Sequence, residues 1–199
     1  MTAPFEIIAA PFTAYWAPTG EAFPDLADAP AGNWVQIGTS GDEDYNEEGV
    51  TVQHSQSTET FRGLGGTGPR KAFRTEEGLL IGFTLHDLTL EQYAVAMNGA
   101  TVTTTPAGSG TAGTKDIDLY RGLTVQNIAL LLRAEASPYG AFRTQYQVPV
   151  VFMSSSPEPV FTKGEPAGLR LEFMALEDPN ASTAADRFGK LVAQNAAAS

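Results

Sequence analysis

A long polar segment between an acidic and a basic cluster constrains this chain more than any other feature. Five acids lie within residues 41–49, an alternating polar stretch runs from Val50 to Phe61, and three bases follow in a glycine-rich loop. The alternation predicts a β-strand, and the glycines predict the tip of a hairpin-like arm. So long a polar strand needs a partner strand and a covering surface, which a monomer rarely supplies. Opposite charges at its two ends suit contact with another copy of the chain.

The charged residues of this segment therefore predict an interface between copies. The predicted contact residues are Asp42, Glu43, Asp44, Glu47, Glu48, Arg62, Arg70, Lys71 and Arg74. Isolated surface ion pairs contribute only ~0–1 kcal/mol. We therefore expect these charges to fix a head-to-tail order more than to add affinity. An ordinary salt-bridged surface, in which the bases pair with Glu76 and Glu77, is the alternative.

Length and charge limit the classes of protein to which this chain can belong. The chain has 199 residues, which fits one domain with arms, and 12 bases against 23 acids give a net charge of −11. This charge disfavours a protein that grips nucleic acid through its phosphates. The chain contains no cysteine, so disulfides and thiolate metal sites are excluded. The N-terminus lacks a basic region before its apolar residues, so we expect no signal peptide, no membrane insertion and assembly in the cytoplasm.

The hydrophobic pattern predicts a mostly-β fold with one flanking helix. Strands are predicted over 34–38, 50–61, 77–86, 100–105, 117–120, 124–135, 145–153 and 169–176. Pro149 lies inside one of them, which indicates an edge or a bulge. Thr89 and Gln92 match a capping box, and Gly99 is suited to end a helix over residues 89–98. The core is predicted to span residues 34–178.

Both ends of the chain are predicted to form extended arms. Five prolines within residues 1–33 argue against helices and central strands, and the segment is rich in aromatic residues. Residues 179–199 form the second arm, in which Ser182–Gln194 fits a terminal helix. The predicted anchors that hold the arms to a surface are Phe12, Tyr15, Trp16, Phe23 and Phe188.

Three apparent chemical motifs favour structural interpretations. Residues 63–68 match G-x-G-x-x-G, but the following Pro69 leads to another strand rather than to the helix that a dinucleotide site needs. Residues 42–53 begin like a calcium loop, but Glu47 and Gln53 replace its glycine and its final glutamate. His86 and Asp87 adjoin a predicted helix start, which favours capping over catalysis. We expect no enzyme activity, cofactor or metal.

The residues also resemble a known family. Ala17–Gly20, Phe23-Pro24, Trp34 with Ile37-Gly38, Glu47–Val50, Phe83–Leu85 and Leu88–Tyr93 look like the major tail tube proteins of long, flexible-tailed bacteriophages. The resemblance covers most of the first hundred residues. It implies a β-sandwich or barrel-like subunit with one flanking helix, a long stacking loop over about residues 41–74 and terminal arms.

The resemblance also implies a function and partners. Six subunits would form a ring whose sheets join into an inner barrel, and rings would stack into a virion tail tube. Its partners would be a tape-measure protein, tail terminator and distal tail proteins, and double-stranded DNA would pass through without specific binding. The candidate lumen-lining residues are Thr51, Gln53, Ser55, Ser57 and Glu59.

Two other readings of the sequence remain open at this point. The tube of a contractile or secretion apparatus is one alternative. A β-sandwich that binds carbohydrate or another ligand is the other, with Tyr15, Trp16 and Trp34 as a stacking surface. A hydrolase built on His86 is the least favoured reading.

Overall fold

The computed structural model describes residues 4–197 and is built from one large antiparallel sheet. Its strands are β1 (Thr13–Pro18), β2 (Val35–Gln36), β3 (Thr51–Phe61), β4 (Lys71–Leu85), β7 (Asn127–Ala134), β8 (Thr144–Met153), β9 (Leu169–Ala175) and β10 (Lys190–Ala193). They are ordered β2-β1-β7-β8-β9-β4-β3, and β10 also pairs with β8. The helix α1 (Leu90–Ala96) and a small hairpin of β5 (Val102–Thr105) and β6 (Thr114–Ile117) complete the elements. The predicted mostly-β fold with one helix is confirmed.

The large sheet curls around one core. Ala14 of β1 and Phe83 of β4 come from strands far apart in the sheet order, yet both belong to the same buried cluster with β7, β8 and β9. Phe83 also contacts Phe173, with ring centroids 6.2 Å apart. One face of a single sheet therefore encloses the core, rather than two separate sheets packing face to face.

Tyr45 joins the two ends of the curl. Its backbone bridges Leu85 at the end of β4. Its hydroxyl donates to the Ile37 carbonyl at 2.8 Å and accepts from the Ala14 amide of β1 at 3.1 Å. Burial raises the pKa of Tyr45, since the phenolate would lose its hydration there. The neutral hydroxyl is thus a fixed part of the fold.

The N-terminal arm prediction was wrong from residue 13 onward. Residues 13–18 form β1, which pairs with the whole of Ile128–Arg133 on β7. The proline density misled the prediction because Pro18 stands at the end of the strand, where no further ladder bond is needed. Apolar residues on both sides of this strand are the signal that was missed.

Residues 19–34 form a strap over the outer face of β7 and β8. Phe23 contacts Trp34, with ring centroids 5.1 Å apart, and both cover Leu131. Buried Arg133 donates to the carbonyls of Asp25 (2.9 Å) and Asp28. These contacts lie within one subunit, so this part of the chain is not a free arm.

The predicted C-terminal helix was also wrong. Residues 184–186 form one 3-10 turn, and Lys190–Ala193 pair as β10 with Thr144–Gln147 of β8. Phe188, Leu191 and Val192 satisfy a helical spacing over so short a segment, but the open edge of β8 offers hydrogen bonds that a short helix cannot match.

The structure confirms the bulge that was predicted at Pro149 and contradicts the predicted capping box. Pro149 lies where the β7–β8 register shifts, with two residues of β8 opposite Ala129, so the predicted bulge is confirmed. The predicted capping box is wrong: Thr89 makes no side-chain cap, and Gln92 instead donates to the Gln36 carbonyl at 3.4 Å. The Asp87 carboxylate accepts from the amide of Thr89, the residue just before the helix, at 2.9 Å.

Candidate assembly surface

The hairpin of β3 and β4 has a buried half and a projecting half. Leu79, Ile81, Phe83 and Leu85 of β4 are buried in the core, whereas every residue of 71–77 and of 53–61 is exposed. The last pair between β4 and its neighbour β9 joins Leu80 to Met174. Beyond that pair the hairpin is only two strands wide. The predicted long arm is thus confirmed as a hairpin that leaves the body.

The projecting half lacks the contacts that normally stabilise a hairpin. A two-stranded hairpin with no apolar face is marginal in water. Within residues 4–197, β3 pairs only with β4, so its second edge carries backbone groups without a strand partner. A free edge of 11 residues is long for a soluble protein, because such edges template pairing with another chain.

The tip carries the predicted bases around an apolar residue. The Gly66 amide donates to the Gly63 carbonyl at 3.0 Å, and this turn presents fully exposed Leu64. Arg62 donates to the Thr67 carbonyl at 3.1 Å. The Lys71 ammonium lies 5.1 Å from the centre of the Phe73 ring. Within residues 4–197 no carboxylate pairs with Arg62, Arg70 or Lys71, and the tip keeps its positive charge.

Arg74 does not belong to that tip. It lies opposite Thr58, and the register shift between Ser57 and Thr58 leaves Thr75 as an extra residue beside it. Its guanidinium contacts Glu77 at 3.1 Å and donates to Gln56 at 3.1 Å. The alternative of an ordinary surface ion pair is therefore correct for this one base.

The acidic cluster lies at the opposite end of the hairpin, folded against the body. Residues 41–44 form a 3-10 turn, Asp42 accepts from the Thr13 hydroxyl at 2.5 Å, and Asp44 accepts from the Ser40 amide at 2.6 Å. Glu43, Glu47 and Glu48 remain exposed. The prediction that residues 41–49 belong to the arm was therefore wrong: they close the curled sheet at the base of the hairpin.

Asp87 fixes this acidic segment to the start of α1. One of its oxygens accepts from the Thr39 amide at 2.9 Å and from the Thr39 hydroxyl at 2.6 Å, and the other accepts from Thr89. Burial alone would raise the pKa of Asp87, but these hydrogen bonds outweigh it and hold the pKa below its ordinary value. The charged carboxylate is therefore the form that the fold favours.

The five candidate lumen residues share one face. Thr51, Gln53, Ser55, Ser57 and Glu59 alternate along β3, on the side away from the core. The same face continues through Leu80 and Gly82 of β4 to Arg170 and Met174 of β9. A Cβ at Gly82 would lie 2.6 Å from Arg170 Nη2, so the glycine makes room for that guanidinium.

This face is only weakly acidic. Its described charged side chains are Glu59, Glu76 and Glu172 against Lys71 and Arg170. Glu172 lies 3.8 Å from Arg170. The excess of one carboxylate is small beside the net charge of −11, so most of the negative charge lies elsewhere on the subunit.

The predicted arm anchors pack within their own subunit. Phe12 contacts Tyr146 at a centroid distance of 5.8 Å, and Phe188 packs against the main core. Tyr15 and Trp16 point to opposite faces of β1, where Tyr15 joins Phe23 and Trp34 and Trp16 joins the main core. Tyr15, Trp16 and Trp34 therefore do not form one stacking surface. Residues 4–9 are exposed and include apolar Phe5, Ile7 and Ile8.

The residues that suggested other chemistry are engaged structurally. His86 Nδ1 lies 3.1 Å from the Ala167 carbonyl and Asp87 contacts the two threonines, so they are not bonded to each other. Among residues 4–197 no group of three potential metal ligands gathers. Nor does any helix in that range have the length and apolar character to cross a membrane.

Sequence reasoning missed one feature entirely, a small apolar pocket beside α1. Its cavity measures about 100 Å³ and lies between α1, β1 and the ends of β8 and β9. Ala94 and Val95 of α1 line it with Trp16, Ile128, Met153 and Phe173. No motif marks it, since its lining comes from five separate parts of the chain.

No protein-family model matches the chain, and no curated protein is similar to it.

Proposed function

We propose that this chain is a structural protein that assembles into hexameric rings, which stack into the tail tube of a long, flexible-tailed bacteriophage. The observation that carries the proposal is the projecting half of the β3–β4 hairpin. It is exposed on both faces, has a free edge and ends in a basic tip, while the acidic residues 41–49 lie at the other end of the hairpin. A second copy of the chain supplies each missing contact.

Lateral pairing supports the ring. Among the described residues β3 ends the sheet order, and its second edge is open to another copy; we take four strands from each subunit as the contribution to a shared barrel. A heterologous interface closes into a ring when its rotation allows, and closure removes the free edge of β3. Twenty-four strands at ~4.8 Å spacing and ~40° tilt have a backbone diameter of roughly 45–50 Å. This width leaves a water-filled bore for a DNA duplex.

Axial charge separation supports the stacking. The 11 residues of β3 place the basic tip roughly 35 Å from the acidic base. The tip of one subunit then faces the exposed Glu43, Glu47 and Glu48 of a subunit in the next ring. Such pairing fixes one polarity, because like ends repel.

The passage of DNA follows from the same arrangement. The polar face of β3, β4 and β9 lines the bore, with Thr51, Gln53, Ser55, Ser57 and Glu59 among its residues. A slightly acidic lining repels phosphates, so DNA slides without binding. The tape-measure, terminator and distal tail proteins enter this proposal only through the family resemblance, as does the location in the virion tail.

The proposal is tested by sedimentation and negative-stain microscopy across a wide range of concentration. Wild-type protein is expected to form rings or tubes. Arg70→Glu with Lys71→Glu is expected to abolish stacking while the circular dichroism spectrum and the unfolding midpoint stay unchanged. Lys163→Glu with Arg187→Glu makes the same charge change away from the hairpin and is the matched control, which should still assemble.

A charge swap sharpens this test. Adding Glu47→Lys and Glu48→Lys to the reversed tip restores opposite charges and is expected to recover part of the assembly. Wild-type protein that remains monomeric at every concentration contradicts the proposed function. Normal tubes from the reversed tip contradict the axial role of the hairpin.

A further inference from the structure

Two features of the subunit match each other in size: an exposed leucine at the hairpin tip and a mostly apolar pocket beside α1. Leu64 stands fully exposed on a glycine turn at the hairpin tip. The pocket beside α1 is lined mostly by apolar side chains, with Glu91, Asn98 and Gln126 also in its lining, and is open to the surface. We propose that Leu64 of one copy inserts into this pocket of another copy as the anchor of the stacking contact. This inference rests on the proposed function and names the site at which the hairpin docks.

Size favours this occupant. An apolar cavity of about 150 Å³ accommodates benzene, a group of six carbons. A cavity of about 100 Å³ suits the four-carbon side chain of leucine by the same ratio. Gly63, Gly65 and Gly66 flank the leucine, and a Cβ at Gly65 would meet no atom within 4 Å. The turn is therefore narrow enough to approach a surface closely.

Distance excludes insertion into the same subunit. The pocket residue Phe173 pairs with Ile81, which in turn pairs with Val52 of β3. From Val52 the strand runs on to Phe61, roughly 30 Å farther from the body. Leu64 lies beyond that point, so only another copy brings it to a pocket.

Charge favours the same docking. The three tip bases surround Leu64 in sequence, and the pocket lining includes Glu91 of the first turn of α1, whose carboxylate pairs with Lys115 at 2.5 Å. The acidic turn at residues 41–44 lies near the start of this helix, since the Asp44 carbonyl accepts from the His86 amide at 2.8 Å. A tip seated in the pocket therefore places Arg62, Arg70 and Lys71 near the carboxylates of Glu91 and of this turn. The apolar contact adds affinity, which the exposed charge pairs alone do not supply.

The edge of the pocket is held in place before docking. Asn98 has a φ of 62°, and its amide donates to the carbonyls of Arg121 at 3.0 Å and Thr124 at 2.8 Å. Its side-chain oxygen accepts from the Gln126 amide at 2.6 Å. A pocket whose rim is fixed in this way binds with a smaller entropy cost.

The first test is crosslinking, for which the absence of native cysteine is an advantage. Leu64→Cys combined with Val95→Cys is treated with an oxidant or a short bismaleimide in assembled samples. A ladder of covalent multimers on a denaturing gel is expected. Leu191→Cys with Val95→Cys uses an exposed leucine on β10, outside both the tip and the pocket, and should give no ladder.

The second test is a mutant cycle on the critical concentration for assembly. Leu64→Ala removes the inserted side chain, and half-exposed Ala100→Leu fills the pocket edge without touching the core. Each is expected to raise the critical concentration about ten- to hundredfold, the effect of losing one buried leucine. The double variant should be no worse than the stronger single variant, since both remove one contact. Leu191→Ala, at an exposed leucine of β10 away from the pocket, is the control and should match wild type.

The two proposals fail in different ways. Wild-type protein that never assembles overturns the proposed function and this inference together. Wild-type tubes without a Leu64–Val95 ladder, or additive effects in the mutant cycle, overturn the inference alone and leave the tube proposal standing.

Discussion

The two halves of the β3–β4 hairpin consist of the same two strands but lie in opposite surroundings, one in the core and the other in solvent. In the half near the base, Phe83 is fully buried and contacts both Tyr45 and Phe173. Ten residues earlier on the same strand, Phe73 is 47% exposed and contacts only Lys71 among the interactions of its ring. The two strands stay paired through both halves, with one register shift in the distal half at Thr75. What differs is burial, and burial provides most of the stability of a folded chain.

The two halves of the hairpin therefore differ in what stabilises them. The base half belongs to the fold of one subunit, whereas the distal half is ordered by only one neighbouring strand. Natural proteins usually shorten or cover such an edge. The exposed edge of this half, residues 53–61 of β3, is the reason for our proposal that another copy covers it.

The largest effect is expected from the matched pair of phenylalanines. Phe83→Ala should cost about 3–5 kcal/mol of unfolding free energy, because it leaves a cavity at the centre of the core. Phe73→Ala should cost less than about 1 kcal/mol, because its ring is already half in water. Urea denaturation of the two variants measures both values. Similar losses in the two variants would show that the distal half is part of the core after all.

A smaller effect is expected at the closure of the curled sheet. Tyr45→Phe removes one hydroxyl that serves both the Ala14 amide and the Ile37 carbonyl. Leaving these groups without the hydroxyl should cost about 1–3 kcal/mol. Urea denaturation gives the free energy, and hydrogen exchange locates the loss. The Ala14 amide should exchange faster while the amides of 53–61 are unchanged, and an effect that spreads equally into the distal half would contradict the separation.

The smallest effect is expected at Asp87 and depends on pH. The pKa of Asp87 is lowered in the folded protein, so its stabilisation is fully present above the unfolded value near 3.8 and is lost as pH falls through the folded value. Asp87→Asn should therefore be less stable than wild type at pH 7, and the gap should be smaller at pH 3. Denaturation midpoints at both pH values measure the gap. A constant gap would mean that the carboxylate charge plays no part.

The sequence predicted the hairpin well because its signals are local. Alternation from Val50 to Phe61, glycines at 63–68 and apolar alternation from Leu79 to Leu85 each report on the strand or turn in which they lie. Their positions agree with β3, the tip and the buried half of β4. The sequence signals for the helix α1 were also local, and Gly99, which has a φ of 68°, lies just beyond the end of the helix.

The features that the sequence did not predict depend on distant partners. The acids at 42 and 44 were assigned to the arm, but Thr13 and the amide of Ser40 bind their side chains to the body. β10 depends on the open edge of β8, and the strap depends on buried Arg133. The pocket is lined by residues that lie far apart in sequence, from Trp16 to Phe173. No local sequence pattern predicts such a site.

Amide hydrogen exchange of the distal hairpin, followed from dilute to concentrated protein, tests the central claim most directly. If another copy covers this half, the amides of residues 53–61 and 71–77 should exchange rapidly in dilute protein and become strongly protected as assemblies form. The buried segment 79–85 should stay protected throughout and serves as the internal control. Exchange of the distal amides that is equally fast at every concentration, in samples where particles form, would contradict the claim that this hairpin is the assembly surface.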